Sequence, residues 1–231
     1  MEQKNIRFYG RRYGRPLTPA RRRLIDEALP AFALKLDQPT ADLNAFFDPP
    51  LSRFWLEIGF GAGEHLAALA ADHPDVGFVG CEPYINGIGS LLAKVCTNDA
   101  ARRPKNIKIY PDDARLLLPN LPTAAFDRIY AMFPDPWPKT RHHRRRLIAP
   151  ETLDEMARLL KPGGIFRMAS DHMEYIRWTL FHVRRHAAFE WVARRPVDWR
   201  RRYDDSTPTR YEAKAVSKGA ECVYLTFRRR P

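Results

Sequence analysis

Between residues 53 and 229 the chain alternates two kinds of segment, and this alternation restricts the fold more than any other feature. Seven short apolar runs have the length and the β-branched or aromatic character of strands. They are "RFWLEIG" (53–59), "VGFVGCE" (76–82), "NIKIYPDD" (106–113), "DRIYAMF" (127–133), "IFRMASD" (165–171), "FEWVA" (189–193) and "ECVYLTFRR" (221–229). Between them, "EHLAALAADHP" (64–74), "INGIGSLLAKVCTND" (85–99), "PETLDEMARLLKPGG" (150–164) and "MEYIRWTLFHVRRH" (173–186) have helical spacing. Pro74 stops the first helix, Pro150 opens the third, and Gly163 follows it. The pattern predicts a Rossmann-like α/β fold: a seven-stranded, mainly parallel, doubly wound sheet covered on both faces. Residues 1–50 fall outside it and read as a basic arm and a helix around 19–36, bent at Pro30; residues 51–231 form the sheet domain.

In such sheets ligands sit beyond the carboxyl ends of the strands, and here those ends carry acids. The first strand runs into "LEIGFGAGEH", with Glu57 followed by Gly59, Gly61 and Gly63. Glycines there permit a tight turn and close approach to a ligand. The spacing is G-x-G-x-G rather than the G-x-G-x-x-G of dinucleotide sites, and Glu57 would repel a pyrophosphate while suiting an amino group. Glu82 ends the second strand, 21 residues after Gly61, near the spacing of an acid that takes ribose hydroxyls. Asp113 ends the third, where it can accept from an adenine amino group or cap a helix at 114–118. Asp135 follows the fourth. A cationic ligand with ribose, adenine and no phosphates fits all four, which describes S-adenosylmethionine.

The formal net charge of +12 is unevenly placed. Residues 1–23 carry eight Lys or Arg against Glu2 alone, whereas residues 53–135 carry eight against ten acids. The excess returns in "KTRHHRRR" (139–146), "RRPVDWRRR" (194–202) and "RRR" (228–230). Basic clusters flanking a near-neutral middle suggest a small-molecule half and edges that meet nucleic-acid phosphates. Adjacent His142 and His143 lack a helical i,i+4 partner, so no metal is expected there. Cys81, Cys96 and Cys222 show no C-x-x-C spacing and suit a reducing cytoplasm. No apolar run approaches the ~18 residues of a membrane span, and "MEQKNIRFYGRRYGRP" has no apolar signal region.

The segments "LEIGFGAGEH", "GCEPY", "FPDPWPKTRHHRRRL", "SDHMEYI" and "TPTRYEAKA" resemble the bacterial tRNA (guanine-N7-)-methyltransferase family, and "RFYGRRYGR" resembles its basic arm. Thr140 stands where many members carry a second lysine. The resemblance implies a class I methyltransferase sheet, S-adenosylmethionine as cofactor, and methyl transfer to N7 of a tRNA guanine, usually position 46 of the variable loop. By the same resemblance Glu57, Glu82, Asp113 and Asp135 bind the cofactor, with Asp135 also at the reacting centre. Lys139, Asp171, Thr209, Arg210, Tyr211 and Glu212 match tRNA-substrate positions, and Arg141, His142, His143, Arg144, Arg145 and Arg146 an RNA-contacting segment.

The residues read by themselves agree with that chemistry. Guanine N7 has a lone pair and no proton to lose, so positioning rather than a general base is required, and Pro134, Pro136 and Pro138 stiffen the loop bearing Asp135. Trp137 either stacks on a base or packs beneath the loop. Three rivals fit less. A nicotinamide dehydrogenase conflicts with the glycine spacing, and a non-enzymatic RNA-binding protein leaves the cleft acids idle. A methyltransferase acting on adenine amino groups or on another RNA does not account for the extended basic run.

Overall fold

A computed structural model describes residues 8–36, 38–96 and 103–231. The first residues of the arm, 1–7, and the end of the expected helix at 85–99 lie outside these. The strands are β1 (Arg53–Ile58), β2 (Val76–Cys81), β3 (Ile107–Tyr110), β4 (Phe126–Met132), β5 (Leu160–Ser170), β6 (Phe189–Trp191) and β7 (Val223–Arg229). They form one sheet in the order β3-β2-β1-β4-β5-β7-β6. β1 to β5 are parallel, and β7 runs antiparallel to both its neighbours. The connection reverses direction between β1 and β4, which opens a crevice at their carboxyl ends.

Alternation along the strands feeds two apolar layers. On one side, Leu56 and Ile58 of β1 join Leu117, Leu153, Met156, Tyr175 and Val183 from α5 (Ala114–Leu117), α6 (Pro150–Leu159) and α7 (Met173–Val183). On the other, Trp55 and Phe78 meet Leu66, Leu69, Ile88 and Leu91 from α3 (Glu64–Asp72) and α4 (Ile85–Val95). The expected helix at 150–164 ends at Leu159, because Pro162 forces the preceding residue to extend and Gly163 sits at φ +79°. Residues 160–164 instead begin β5, with Leu160 opposite Phe126.

Residues before 51 also pack on the sheet. A helical segment runs from α1 (Pro19–Arg23) through a wider turn at Leu24–Ala28 to α2 (Leu29–Phe32). Pro30 follows the widened turn, where its missing N–H is tolerated. Ala33 bridges Ile109 at the β3 edge, and Leu34 N–H donates to Ile109 O. Phe32, Leu34, Leu43 and Phe47 are core residues. Two further helices, α8 (Val197–Arg200) and α9 (Arg210–Val216), lie between β6 and β7. They are too short for hydrophobic periodicity to reveal.

Candidate active site

The carboxyl ends of β1, β2 and β4 and the residues after β3 surround a cavity of about 850 Å³. Gly59, Gly61, Glu82, Asp113, Asp135 and Trp137 line it. Gly61 has φ +57°, and its N–H donates to Glu82 Oε2 at 2.7 Å. Tyr84 N–H donates to Glu82 Oε1 at 2.9 Å, so this acid fastens the turn after β1 to the end of β2. Burial pushes the Glu82 carboxyl up to about 7 against those two hydrogen bonds, with Asp135 and Glu57 adding repulsion. At Gly63, with φ +75°, a Cβ would lie 2.7 Å from Leu91; only glycine lets α3 and α4 approach there.

The remaining acids differ from Glu82 and from one another. Glu57 is buried and does not line the cavity; its Oε2 lies 2.9 Å from His65 Nδ1, behind the glycine turn. Asp113 caps α5 through Arg115 N–H at 3.0 Å and is also gripped by the Arg115 guanidinium, with Nη2 at 2.6 Å. Sequence reasoning anticipated the cap but missed Arg115, which also faces the cavity. Asp135 stands at the exposed rim, where partial desolvation raises its carboxyl pKa. Phe133 and Trp137, on either side of it, both occupy the left-handed region, at φ 53° and 44°.

The arm closes one side of the cavity, a placement that charge alone could not reveal. Phe8, Tyr9, Gly10 and Arg11 contribute to the wall. The Arg145 guanidinium is 4.5 Å from the Tyr9 ring centroid and 5.0 Å from that of Trp137, joining arm and loop by cation–π contact. Arg12 pairs with Asp112 at 2.6 Å, and its carbonyl accepts from Ile85 N–H. Asn86 accepts from Gly14 N–H at 3.0 Å and donates to Arg15 O at 2.8 Å.

The basic stretch divides by burial. Lys139, Arg141 and Arg144 are exposed, while His142, His143 and Arg145 are half-buried. Desolvation and four surrounding cations hold His142 below its usual pKa. Three of the residues matched to RNA or substrate positions, Arg146, Thr209 and Glu212, are buried. The Arg146 side chain is fully buried, donating to Pro136 O at 2.8 Å and to Glu174 Oε1 at 2.9 Å. Thr209 and Glu212 form the capping box of α9, each side chain accepting from the other's backbone N–H. Glu212 is 2% exposed and is held by Arg202 Nε at 2.7 Å and by the Tyr224 hydroxyl.

A neighbour of Thr209 and Glu212 does line the cavity. Tyr211 is 56% exposed and lines the cavity above Gly61, whose added Cβ would lie 3.2 Å from the Tyr211 ring. Arg210 and Asp171 are exposed. His172 caps α7, its Nδ1 accepting from Tyr175 N–H at 3.4 Å.

A family model described as "Putative methyltransferase" matches residues 52–225. Among curated proteins, the tRNA (guanine-N(7)-)-methyltransferase of Rhodospirillum rubrum is 49% identical, over 99% of this chain and 89% of its own length. That of Rhizobium meliloti is 47% identical, over 96% of this chain and 94% of its own. The chain belongs to the tRNA (guanine-N(7)-)-methyltransferase family. Solved methyltransferases share the fold at much lower identity. The 16S rRNA methyltransferase KamB aligns with TM-score 0.55 at 16% identity, over 82% of this chain and 91% of its own. An antibiotic-related methyltransferase aligns with TM-score 0.52 at 14% identity, over 78% and 89%. The family match begins at residue 52, yet this methyltransferase completes its sheet edge and cavity wall with residues before it. No helix among the described residues of this family member is long and apolar enough to cross a membrane.

Proposed function

We propose that the chain transfers the methyl group of S-adenosylmethionine to N7 of a guanine in tRNA, at position 46 of the variable loop, in the cytoplasm. One observation carries the reading: Asp135, at the mouth of a cavity walled by Glu82 and Asp113, is followed at once by the exposed cations Lys139, Arg141 and Arg144. A small-molecule pocket and an RNA-facing edge thus share one loop.

The donor set fits the cofactor. Glu82 can accept from a ribose diol while the glycine turn leaves room for the chain of the ligand. Asp113 and Arg115 together present acceptor and donor groups to an adenine edge. Glu57, held by His65, contributes negative potential beneath the turn and favours a nearby ammonium. The cofactor supplies a sulfonium-activated methyl group, and N7 needs no deprotonation. What the chain supplies is alignment and charge. Asp135 accepts hydrogen bonds from the guanine edge and offsets the positive charge that grows on the ring. Lys139, Arg141, Arg144 and Arg145 meet phosphates, with His142, His143, Asp171, Arg210 and Tyr211 as further contacts along the same rim.

The test is transfer of label from S-adenosylmethionine to unfractionated tRNA lacking the modification, followed by borohydride and aniline. Cleavage at position 46 alone is expected. Label without cleavage would move the methyl group off N7 and overturn the proposal.

A further inference from the structure

We propose that Arg146, at the end of the basic stretch, is a positioning residue that holds the Asp135 loop in its working geometry. The inference rests on the reading of Asp135 as the residue at the reacting centre. Pro134, Pro136 and Pro138 fix backbone torsions but remove three N–H donors, so the loop has few groups with which to tie itself down. Arg146 supplies the missing donors. Its Nε donates to Pro136 O at 2.8 Å, and its Nη2 reaches Trp137 O at 3.4 Å. The same Nη2 donates to Glu174 Oε1 at 2.9 Å, which tethers the loop to α7.

The guanidinium is itself held. It lies 5.2 Å from the Tyr175 ring centroid and 4.8 Å from that of Trp178. Trp178 Nε1 donates to Ile148 O at 2.6 Å, and the Tyr175 hydroxyl accepts from Ile148 N–H at 3.2 Å. One face of α7 therefore grips residues 146–148. Backbone geometry points the same way: Phe133 and Trp137 keep left-handed φ values without being glycine. Such residues persist only where their surroundings over-determine them. The prolines fix φ, and Arg146 fixes where the segment sits. Burial of its side chain leaves no surface for a phosphate.

Arg146→Lys keeps the charge but loses the planar fork that spans two carbonyls and a carboxylate. Single-turnover methylation at saturating cofactor and tRNA should fall by about 10²-fold, the scale of an ångström misplacement. The tRNA Kd, and the slope of log K against log salt, should not change. Millimolar methylguanidinium should restore part of the rate to Arg146→Ala. In an Asp135→Asn background, Arg146→Lys should cost little more, because the two act in series. A retained rate with a slope shallower by about 0.7–0.9 would make Arg146 a phosphate contact and overturn the proposal. A full additional loss in the Asp135→Asn background would also overturn it. If Asp135→Asn alone keeps the wild-type rate, the reading of Asp135 fails instead, a separate result. Should neither Arg146 variant fold, Glu174→Gln removes the outer tether from an exposed position: a slower rate at unchanged Kd supports the proposal, and an unchanged rate defeats it.

Discussion

At the scale of single residues, the two central acids are tuned differently. Glu82 is buried with its carboxyl raised from 4.5 to about 7, so the folded cofactor-free protein binds that proton more tightly than the unfolded chain. Its stabilising contribution is complete below 4.5 and is lost as pH rises through about 7. Calorimetric melting across this window should show the wild type losing stability with rising pH relative to Glu82→Gln. Ribose hydroxyls donate best to the ionised carboxylate, so wild-type cofactor affinity should rise over the same interval, and titration calorimetry should find that rise absent in Glu82→Gln. Asp135 is at the rim and less desolvated. Asp135→Ala should lower kcat by about 10²–10³-fold, as loss of a transition-state electrostatic contact does, with tRNA affinity almost unchanged.

At the scale of elements, the stretch 133–146 changes function along its length. Its proline-rich start carries Asp135, its middle forms a short tight helix over Thr140–Arg145, and its last arginine is interior. The exposed charge of the stretch is therefore smaller than the sequence suggests. Arg141 and Arg144 replaced together by alanine should weaken tRNA binding and shallow the salt slope by about 1.4–1.8, two phosphate contacts, while kcat at saturation holds. Binding titrations at several salt concentrations measure this. The segment around α9 divides likewise: Thr209 and Glu212 build the helix start, which places Tyr211 at the cavity and leaves Arg210 exposed.

At the scale of the molecule, the arm belongs to both halves of the enzyme. Deleting residues 1–16 removes the cation–π partner Tyr9, the Arg12–Asp112 pair and part of the cavity wall. The core residues that follow, from Ala28 to Phe47, remain. The truncated protein should therefore fold with a melting temperature close to that of the full chain. Its cofactor Kd should weaken roughly tenfold, about 1.4 kcal/mol, the scale of a cation–π pair and a partly exposed ion pair together. Its KM for tRNA should rise as well. Normal cofactor binding in calorimetry would mean the arm serves RNA alone.

The sequence by itself determined the sheet, because strand and helix periodicities are local and the main chain must satisfy its hydrogen bonds in one of those two ways. It also determined the strand-end placement of Glu82, Asp113 and Asp135, since an acid within three residues of a strand's end emerges near that strand's carboxyl end. Tertiary structure decided what each charge meets. Arg115 reaches Asp113 from two residues away, and Glu174 reaches Arg146 from 28, while both arginines look equally free in the sequence. Glu57 and Glu82 carry the same carboxylate, yet one is turned to His65 and the other to the glycine turn. The arm's first described residues face the cavity because Asn86, Asp112 and Arg145, far along the chain, converge on them. Contacts of that kind depend on burial and long-range closure, which no local pattern encodes.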